Sequence, residues 1–477
     1  MRPRDRWMLA GGRWSGGTGE EAFTVRDPAT GVPVGAVPVC SAADVEAAVA
    51  AAAATAPGWA ATDPAGRGAA LYAAARAVEE RAGELAALVT AEMGKPEADA
   101  LGGVEAGVGT LRQYAELGPL HGGRSLQGGW GAADFMVREP CGVVGVITPW
   151  NDPVAIACGL IGAAAVTGNT VVHKPSERTP HTGALLVELL AGALPDGVLN
   201  VVSGDGRTGE ALAGHPGLGV VAHVGSTRAG RRIAGLAART GARALLENGG
   251  ADPLIVDEGV DPVWAAGQAA TGCFANAGQI CTSVERVYVH EAVAAPFLDA
   301  LAGRARAMRM GAGADASTEL GPLVDERHRA QVHEQVEKAV ADGARVLAGG
   351  RVPDGPGSFY PATVLAGCTD DMAVMAEETF GPVAPVRAVA SFDEALDAAR
   401  RSRYGLAATV LTRDLARAQR AWRALPVGTV KVNAVFGGAP GGAATPRRAS
   451  GQGFGYGPEL LDEMTAVKVV HLGSGQG

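Results

Sequence analysis

Positive charge is in short supply in this chain. It carries 41 Lys and Arg against 50 Asp and Glu, a formal charge of −9. That balance excludes a general nucleic-acid binder, which needs a basic face to neutralise phosphates. The one dense basic stretch, Arg228-Ala-Gly-Arg231-Arg232, reads as the solvated face of a helix. Long apolar runs are also missing. Nothing reaches the ~18 residues needed to cross a bilayer, and the Ala-rich run from Ala47 to Ala61 is too short and too weakly apolar. The opening segment Met1-Arg-Pro-Arg-Asp-Arg-Trp7 has no apolar core of the kind a secretion signal needs. Cysteine is sparse: Cys40, Cys141, Cys158, Cys273, Cys281 and Cys368. They form no CxxC pair and no Cys/His cluster with zinc spacing, so no metal site is expected. Nor do they resemble a disulfide framework, and the expected compartment is a reducing cytoplasm with no membrane partner.

What is present in quantity is Gly and Ala. The 70 glycines among 477 residues imply many tight turns and close backbone approaches, since strand-like apolar runs continue between them. A chain this long exceeds one compact core, so two or three domains are expected. Ser41 with Asp44 forms a capping-box pattern ahead of a helix from Val45 to Ala54. A further helical stretch runs from Pro64 to Met93 and stops at Gly94-Lys95-Pro96. From Phe135 onward, strand candidates alternate with helical segments. The strands are Gly142–Thr148, Thr170–His173, Leu199–Val202 and Val220–Val224; two of the helices lie near Ala155–Val166 and Thr179–Ala193. A second series opens at Pro253–Val256 and continues through Arg286–Val289, Val383–Val389, Ala408–Leu411 and Thr429–Asn433, with Ser391 capping one helix. Strands separated by helices specify βαβ units, hence an α/β fold with mostly parallel sheets. The Gly-, Ala- and Arg-rich segment Phe436–Pro458 reads as a long surface loop, and Thr465–Leu472 as a terminal strand.

Several residues could carry chemistry. Phe274-Ala-Asn-Ala-Gly278-Gln-Ile-Cys281 places a thiol after a Gly-containing turn and before a β-rich segment. There, nearby backbone N–H groups can favour the thiolate. A small buried hydrophobe is the alternative, and Cys273 keeps that reading. Asn151, in Pro149-Trp150-Asn151, is on its own a turn residue. Taken singly, Glu247 is a surface glutamate at a strand end, and Lys174 with Glu177 a surface ion pair. Gly204-Asp-Gly206-Arg-Thr-Gly209 satisfies GxGxxG literally, yet no carboxylate falls between Arg228 and Ala237, where a dinucleotide fingerprint needs one. It reads as a glycine-rich turn.

Taken together, these segments resemble the motifs of the aldehyde dehydrogenase superfamily. The octapeptide ending at Cys281 is similar to its active-site signature. Pro149-Trp150-Asn151, Lys174-Pro-Ser-Glu177, Gly225-Ser226-Thr-Arg-Ala-Gly230, Glu247-Asn-Gly-Gly250 and Glu378-Thr-Phe380-Gly-Pro382 resemble five others, in family order. The resemblance implies the family's three-part architecture. A Rossmann-type NAD-binding domain would span 1–126 and 148–250, and an α/β catalytic domain 251–440. An oligomerisation arm would be formed by 127–147 and 441–477, giving a homodimer or homotetramer. It also implies oxidation of a small aldehyde with NAD, NADP being the alternative. Cys281 would be the nucleophile, Asn151 and the Cys281 N–H the oxyanion donors, and Glu247 the base that hydrolyses the thioester. Its presence favours hydrolysis over transfer to coenzyme A. Trp150, Lys174, Glu177, Gly225, Ser226, Glu378 and Phe380 would contact the cofactor, its pyrophosphate lying near the helix that begins at Ser226. Glu177 near the ribose 2′-OH favours NAD. The chain departs from the family pattern at His223-Val224, where Phe-Thr is usual, at Asn248, where Leu is usual, and at Arg447-Arg448-Ala-Ser450-Gly451, in the region that normally closes the substrate tunnel. The specific aldehyde is therefore not implied. A thiol esterase and a catalytically inactive binding relative stand as alternatives.

Overall fold

A computed structural model describes residues 6–438 and 442–473. Residues 1–5, the 439–441 portion of the expected loop and domain boundary, and 474–477 of the expected arm lie outside the described residues.

Two parallel-rich sheets organise the chain. The eight-stranded one runs, edge to edge, through Gly451–Gln452, Arg243–Glu247, Val220–Val224, Val143–Ile147, Thr170–Lys174, Leu199–Val202, Met8–Ala10 and Arg13–Ser15. Its five inner strands are parallel, and the flanking short strands are antiparallel. The inner strands from 143 to 224 are buried along their whole length. This is why they read as continuous β-branched runs and not as alternating ones. Val143–Ile147, grouped with the arm in the sequence reading, is an inner strand of this sheet.

The second sheet has seven strands, in the order Arg345–Ala348, Thr363–Ala366, Val383–Val389, Val284–His290, Asp252–Val256, Ala407–Leu411 and Thr429–Val432. All but the first are parallel. Helices cover both faces of each sheet, and three apolar clusters fill the spaces between. A third sheet joins Thr465–Gly473 antiparallel to Ala132–Pro140, with Arg124–Leu126 on the far side.

Local signals act where expected. Ser41 caps the Ala42–Ala60 helix through a reciprocal box with Asp44, and Gly94 ends the Ala82–Met93 helix at φ 84°. The expected Pro64–Met93 helix is in fact two, Pro64–Glu80 and Ala82–Met93, broken at Arg81. A 21-residue helix, Glu97–Leu117, follows immediately. Its Gly107 lets it lie close to the Pro153–Val166 helix, since a Cβ there would meet Cys158 at 3.2 Å. Phe436–Pro458 departs from the expected surface loop. Ser450 is fully buried, and Gly451–Gln452 adds as a strand to Arg243–Glu247, because Glu247 needs a neighbour on its open edge.

Candidate active site

The C-terminal strand ends of the eight-stranded sheet and the N-terminal strand ends of the seven-stranded one converge on Cys281. Ahead of it, Asn276, Ala277 and Gly278 all adopt left-handed backbone, with φ of 49°, 53° and 73°. Gly278 is obligatory here, because a Cβ would stand 2.1 Å from the Gly381 carbonyl oxygen. The buried Gln279 side chain pins this turn, accepting from Val324 N–H at 2.9 Å and donating to the Asn276 carbonyl at 3.0 Å. The Gln279 carbonyl accepts from Asn151 Nδ2 and from Asn276 Nδ2, each at 3.1 Å. Asn151, at the end of the Val143–Ile147 strand segment, is thereby tied to the turn two residues before Cys281.

Cys281 is partly exposed, whereas Cys40, Cys158, Cys273 and Cys368 are buried. The expectation of a favoured thiolate is corrected. Burial, then the charges of Glu247, Asp252, Glu378 and Asp152, push the thiol up to about 12. Burial is the main cause, and the surrounding carboxylates add to it, although Lys431 also lies close enough to interact with the sulfur. Glu247 ends the Arg243–Glu247 strand and is itself pushed up to about 8 by burial, with the Gly455 N–H pulling the other way. Gly455 has room for no side chain, since a Cβ would lie 2.2 Å from the Glu247 carboxylate.

Glu378 folds onto the turn after Glu247, accepting from Gly250 N–H at 3.0 Å, and burial raises it. Phe380 sits at φ 53°. That strained backbone is held by Glu285, whose two oxygens accept from the Thr379 and Phe380 N–H groups at 2.8 Å each. The Phe380 ring meets Trp150 edge-on at 5.5 Å, and Arg178 stacks over Trp150 at 5.1 Å.

On the eight-stranded sheet, the registered residues Lys174, Ile147, His223 and Leu246 form a row across neighbouring strand ends. Lys174 pairs with Glu177 at 3.3 Å. Burial raises Glu177, but the Lys174 charge and hydrogen bond outweigh it and hold the carboxyl below its ordinary range. Ser226 caps the Thr227–Thr240 helix by accepting from Ala229 N–H, and Gly225 N–H donates to the Glu247 carbonyl at 3.0 Å. Gly225 and Ser226 are thus joined through the backbone to the strand that carries Glu247. Gly204–Gly209 forms the turn and first residues of the Gly206–Ala213 helix, capped by Asp205, and a Cβ at Gly209 would lie 3.9 Å from the Lys174 side chain.

Three contributors to this site escape the sequence motifs. Asp152, held by Lys95 at 3.4 Å, adds a negative charge near Cys281. Tyr456 lies against Gly159, and the charges of Asp152, Cys281 and Glu247 all act on its hydroxyl. Asp252, raised by burial, anchors the Ala407 N–H at 3.0 Å. The acid following Pro149-Trp150-Asn151 was a visible signal for the first; nothing local marks the other two. Among the described residues, no His, Cys, Asp and Glu group is arranged to hold a metal ion, and no helix is long and apolar enough to cross a membrane.

The chain matches the model of the aldehyde dehydrogenase family over residues 14–470. It is 37% identical over 465 residues to betaine aldehyde dehydrogenase of Rhizobium etli, covering 94% of this chain and 93% of that one. Lactaldehyde dehydrogenase from Escherichia coli superposes with a TM-score of 0.95 at 32% identity, covering 98% of this chain and 99% of the other. An NAD-dependent aldehyde dehydrogenase from Sinorhizobium meliloti gives 0.96 at 35% identity, covering 99% and 95%. The chain belongs to the aldehyde dehydrogenase family: it is an oxidoreductase that acts on aldehydes with NAD or NADP.

Proposed function

We propose that this enzyme oxidises a small aldehyde to the carboxylic acid through a thioester on Cys281, which water activated by Glu247 hydrolyses. The observation that carries the reading is the meeting of one partly exposed thiol, one carboxyl raised to about 8 and one amide at the same turn. Because the thiol is held protonated, attack requires an acceptor, and the ionised form of Glu247 takes that proton. The sulfur then bonds to the aldehyde carbon. The oxygen that gains charge is met by Asn151 Nδ2 and the Cys281 backbone N–H, donors of a kind worth ~2.7–4 kcal/mol each in other enzymes. When bound, NAD(P) supplies the hydride acceptor. Glu247 gives the thiol's proton up to solvent and, ionised again, removes a proton from water, which adds to the acyl carbon; that second proton returns to the sulfur as it leaves. The C–S bond breaks, the acid leaves, and the Cys281 thiol is restored.

The residues present fit a dinucleotide. Both ring nitrogens of the buried His223 lack a hydrogen-bond partner beside the N-terminus of the Thr227–Thr240 helix, where free N–H groups favour a phosphate. Lys174 and Glu177 would hold the adenosine ribose; the ionised Glu177 repels a 2′-phosphate and so favours NAD. Glu378, Phe380 and Trp150 would hold the nicotinamide end. In this reading 1–126 and 143–250 bind the cofactor, Val143–Ile147 being an inner strand of that sheet, and 251–440 carry the nucleophile. The Ala132–Pro140 and Thr465–Gly473 ribbon, with Val467, Val469 and Leu472 exposed, is the arm that adds to a second copy in a homodimer or homotetramer. A thiol that must stay reduced to react suits the cytoplasm.

NADH absorbance across a panel of small aldehydes tests this, starting with betaine aldehyde and lactaldehyde, the compounds for which two relatives are named. Turnover with NAD and without coenzyme A supports the proposal. NAD-independent ester hydrolysis with no aldehyde turnover would replace it with a thiol esterase.

A further inference from the structure

The row of residues across the eight-stranded sheet contains one whose two ring nitrogens make no well-formed hydrogen bond in the folded chain. His223 is 5% exposed at the end of the Val220–Val224 strand. Its registered neighbours are Ile147 on one side and Leu246 on the other, with Lys174 one strand further out. Val221, on the same face, packs in the apolar layer beneath the helices that begin at Ala42, Gly206 and Thr227. His223 therefore lies in the crevice at the carboxyl ends of the strands, between the starts of the Gly206–Ala213 and Thr227–Thr240 helices. Neither ring nitrogen has a well-formed hydrogen bond. The Nε2–Cε1 edge lies directly beneath Gly225, where a Cβ would come within 2.9 Å of Nε2 and 2.7 Å of Cε1. The ring edge is thus turned towards the Gly225–Ser226 turn and the unpaired N–H groups of the helix it opens.

A buried imidazole held only by the weak pull of the Ile147 and Ser226 backbone costs free energy, since desolvation of its two polar nitrogens is only partly returned. Sheet register does not require it, because an apolar ring would fill the same place without that cost. Burial draws its pKa down to about 4, with the Lys174 charge adding to this against the pull of the Ile147 and Ser226 backbone. It therefore presents a neutral ring with one N–H donor. A ligand that brings a strong acceptor to the turn satisfies that donor and the helix N-terminus together.

We infer that His223 is a further cofactor-binding residue, donating a ring N–H to the adenosine-side phosphate of the dinucleotide beside the Gly225–Ser226 turn. The inference rests on the proposed placement of the cofactor and assigns this chain's histidine a polar contact where an aromatic hydrocarbon is usual.

The test is binding, not turnover. Affinities for NAD, AMP and nicotinamide mononucleotide are measured by calorimetry and by displacement of NADH fluorescence. The proteins compared are the full-length enzyme, His223→Phe and His223→Gln. A lost hydrogen bond to a charged oxygen corresponds to about tenfold. His223→Phe should weaken NAD and AMP by about that factor and leave nicotinamide mononucleotide unchanged. His223→Gln, which keeps an N–H donor, should recover most of the AMP affinity. Unchanged or tighter AMP binding in His223→Phe would overturn the assignment, as would a loss confined to nicotinamide mononucleotide. If His223→Phe does not fold, the glutamine variant decides alone: AMP affinity within about threefold of the parent supports the contact, and a tenfold loss refutes it. Failure of the parent enzyme to bind NAD or AMP at all would instead remove the cofactor placement beneath it.

Discussion

Replacing Glu247 by Gln should stabilise the folded protein, and by more as the pH rises. The carboxyl is raised from 4.5 to about 8 by burial. A group whose folded pKa is raised contributes fully below its unfolded value, and that contribution is lost as pH climbs through the folded one. The wild type therefore loses stability from pH 4.5 to about 8 and levels off above. At 1.36 kcal/mol per pH unit the ceiling is about 5 kcal/mol. Glu247 is partly exposed, and screening by water leaves about 2–4 kcal/mol. Glutamine keeps an acceptor for the Gly455 N–H and never ionises. With an unfolding entropy of about 2.1 cal/mol/K per residue, a 477-residue chain shifts by about one degree per kcal/mol. Thermal melts should accordingly show Glu247→Gln pulling ahead by about 2–4 °C between pH 5 and pH 9. A constant offset, or one that shrinks with pH, would refute the claim that Glu247 is buried against its charge. The same substitution removes the proposed base, so the gain would be a stability–activity trade-off at one residue.

Two other outcomes follow from the same environment. With Cys281 pushed up to about 12, alkylation of the cofactor-free enzyme by iodoacetamide should rise about tenfold per pH unit up to pH 9 without a plateau; a plateau below pH 8 would contradict the carboxylate cluster's effect. Gly278→Ala should cost about 2–4 kcal/mol and most of the turnover, because its Cβ meets the Gly381 backbone at 2.1 Å where neither side can yield. Normal melting and kcat in that variant would show that the turn before Cys281 is not so constrained.

How much of this was legible depended on whether the signal was local. Leu199–Val202, Val220–Val224 and Val383–Val389 are legible to the residue, because largely buried strands carry apolar runs broken here only by Asn200, His223 and Arg387. The Ser41 cap acts through the Asp44 side chain three residues on, and the Gly94 stop through its left-handed backbone and the Thr90 carbonyl four residues back, so both are equally readable. The Glu97–Leu117 helix was missed. Gly94-Lys95-Pro96 marks a true end, and the glycines that let the next helix pack closely also dilute its pattern, although Ala100, Val104, Val108 and Leu111 all face inward. Gly451–Gln452 has no side-chain pattern to read and is a strand only because Arg243–Glu247 offers an edge. At the site, the motif residues could be named from resemblance. The protonated state of Cys281 could not, because Glu247, Asp252, Glu378 and Asp152 reach it from four separate segments.

The central claim is a covalent acyl group on one sulfur. Mixing Glu247→Gln enzyme with an aldehyde substrate and NAD, then quenching, allows NADH to be counted and the intact protein weighed. The proposed chemistry predicts a burst approaching one NADH per chain, a mass increase equal to the acyl group, and its location on Cys281 by peptide mapping, with no increase in Cys281→Ser. A burst that survives in Cys281→Ser, or an acyl group found on another residue, would contradict it.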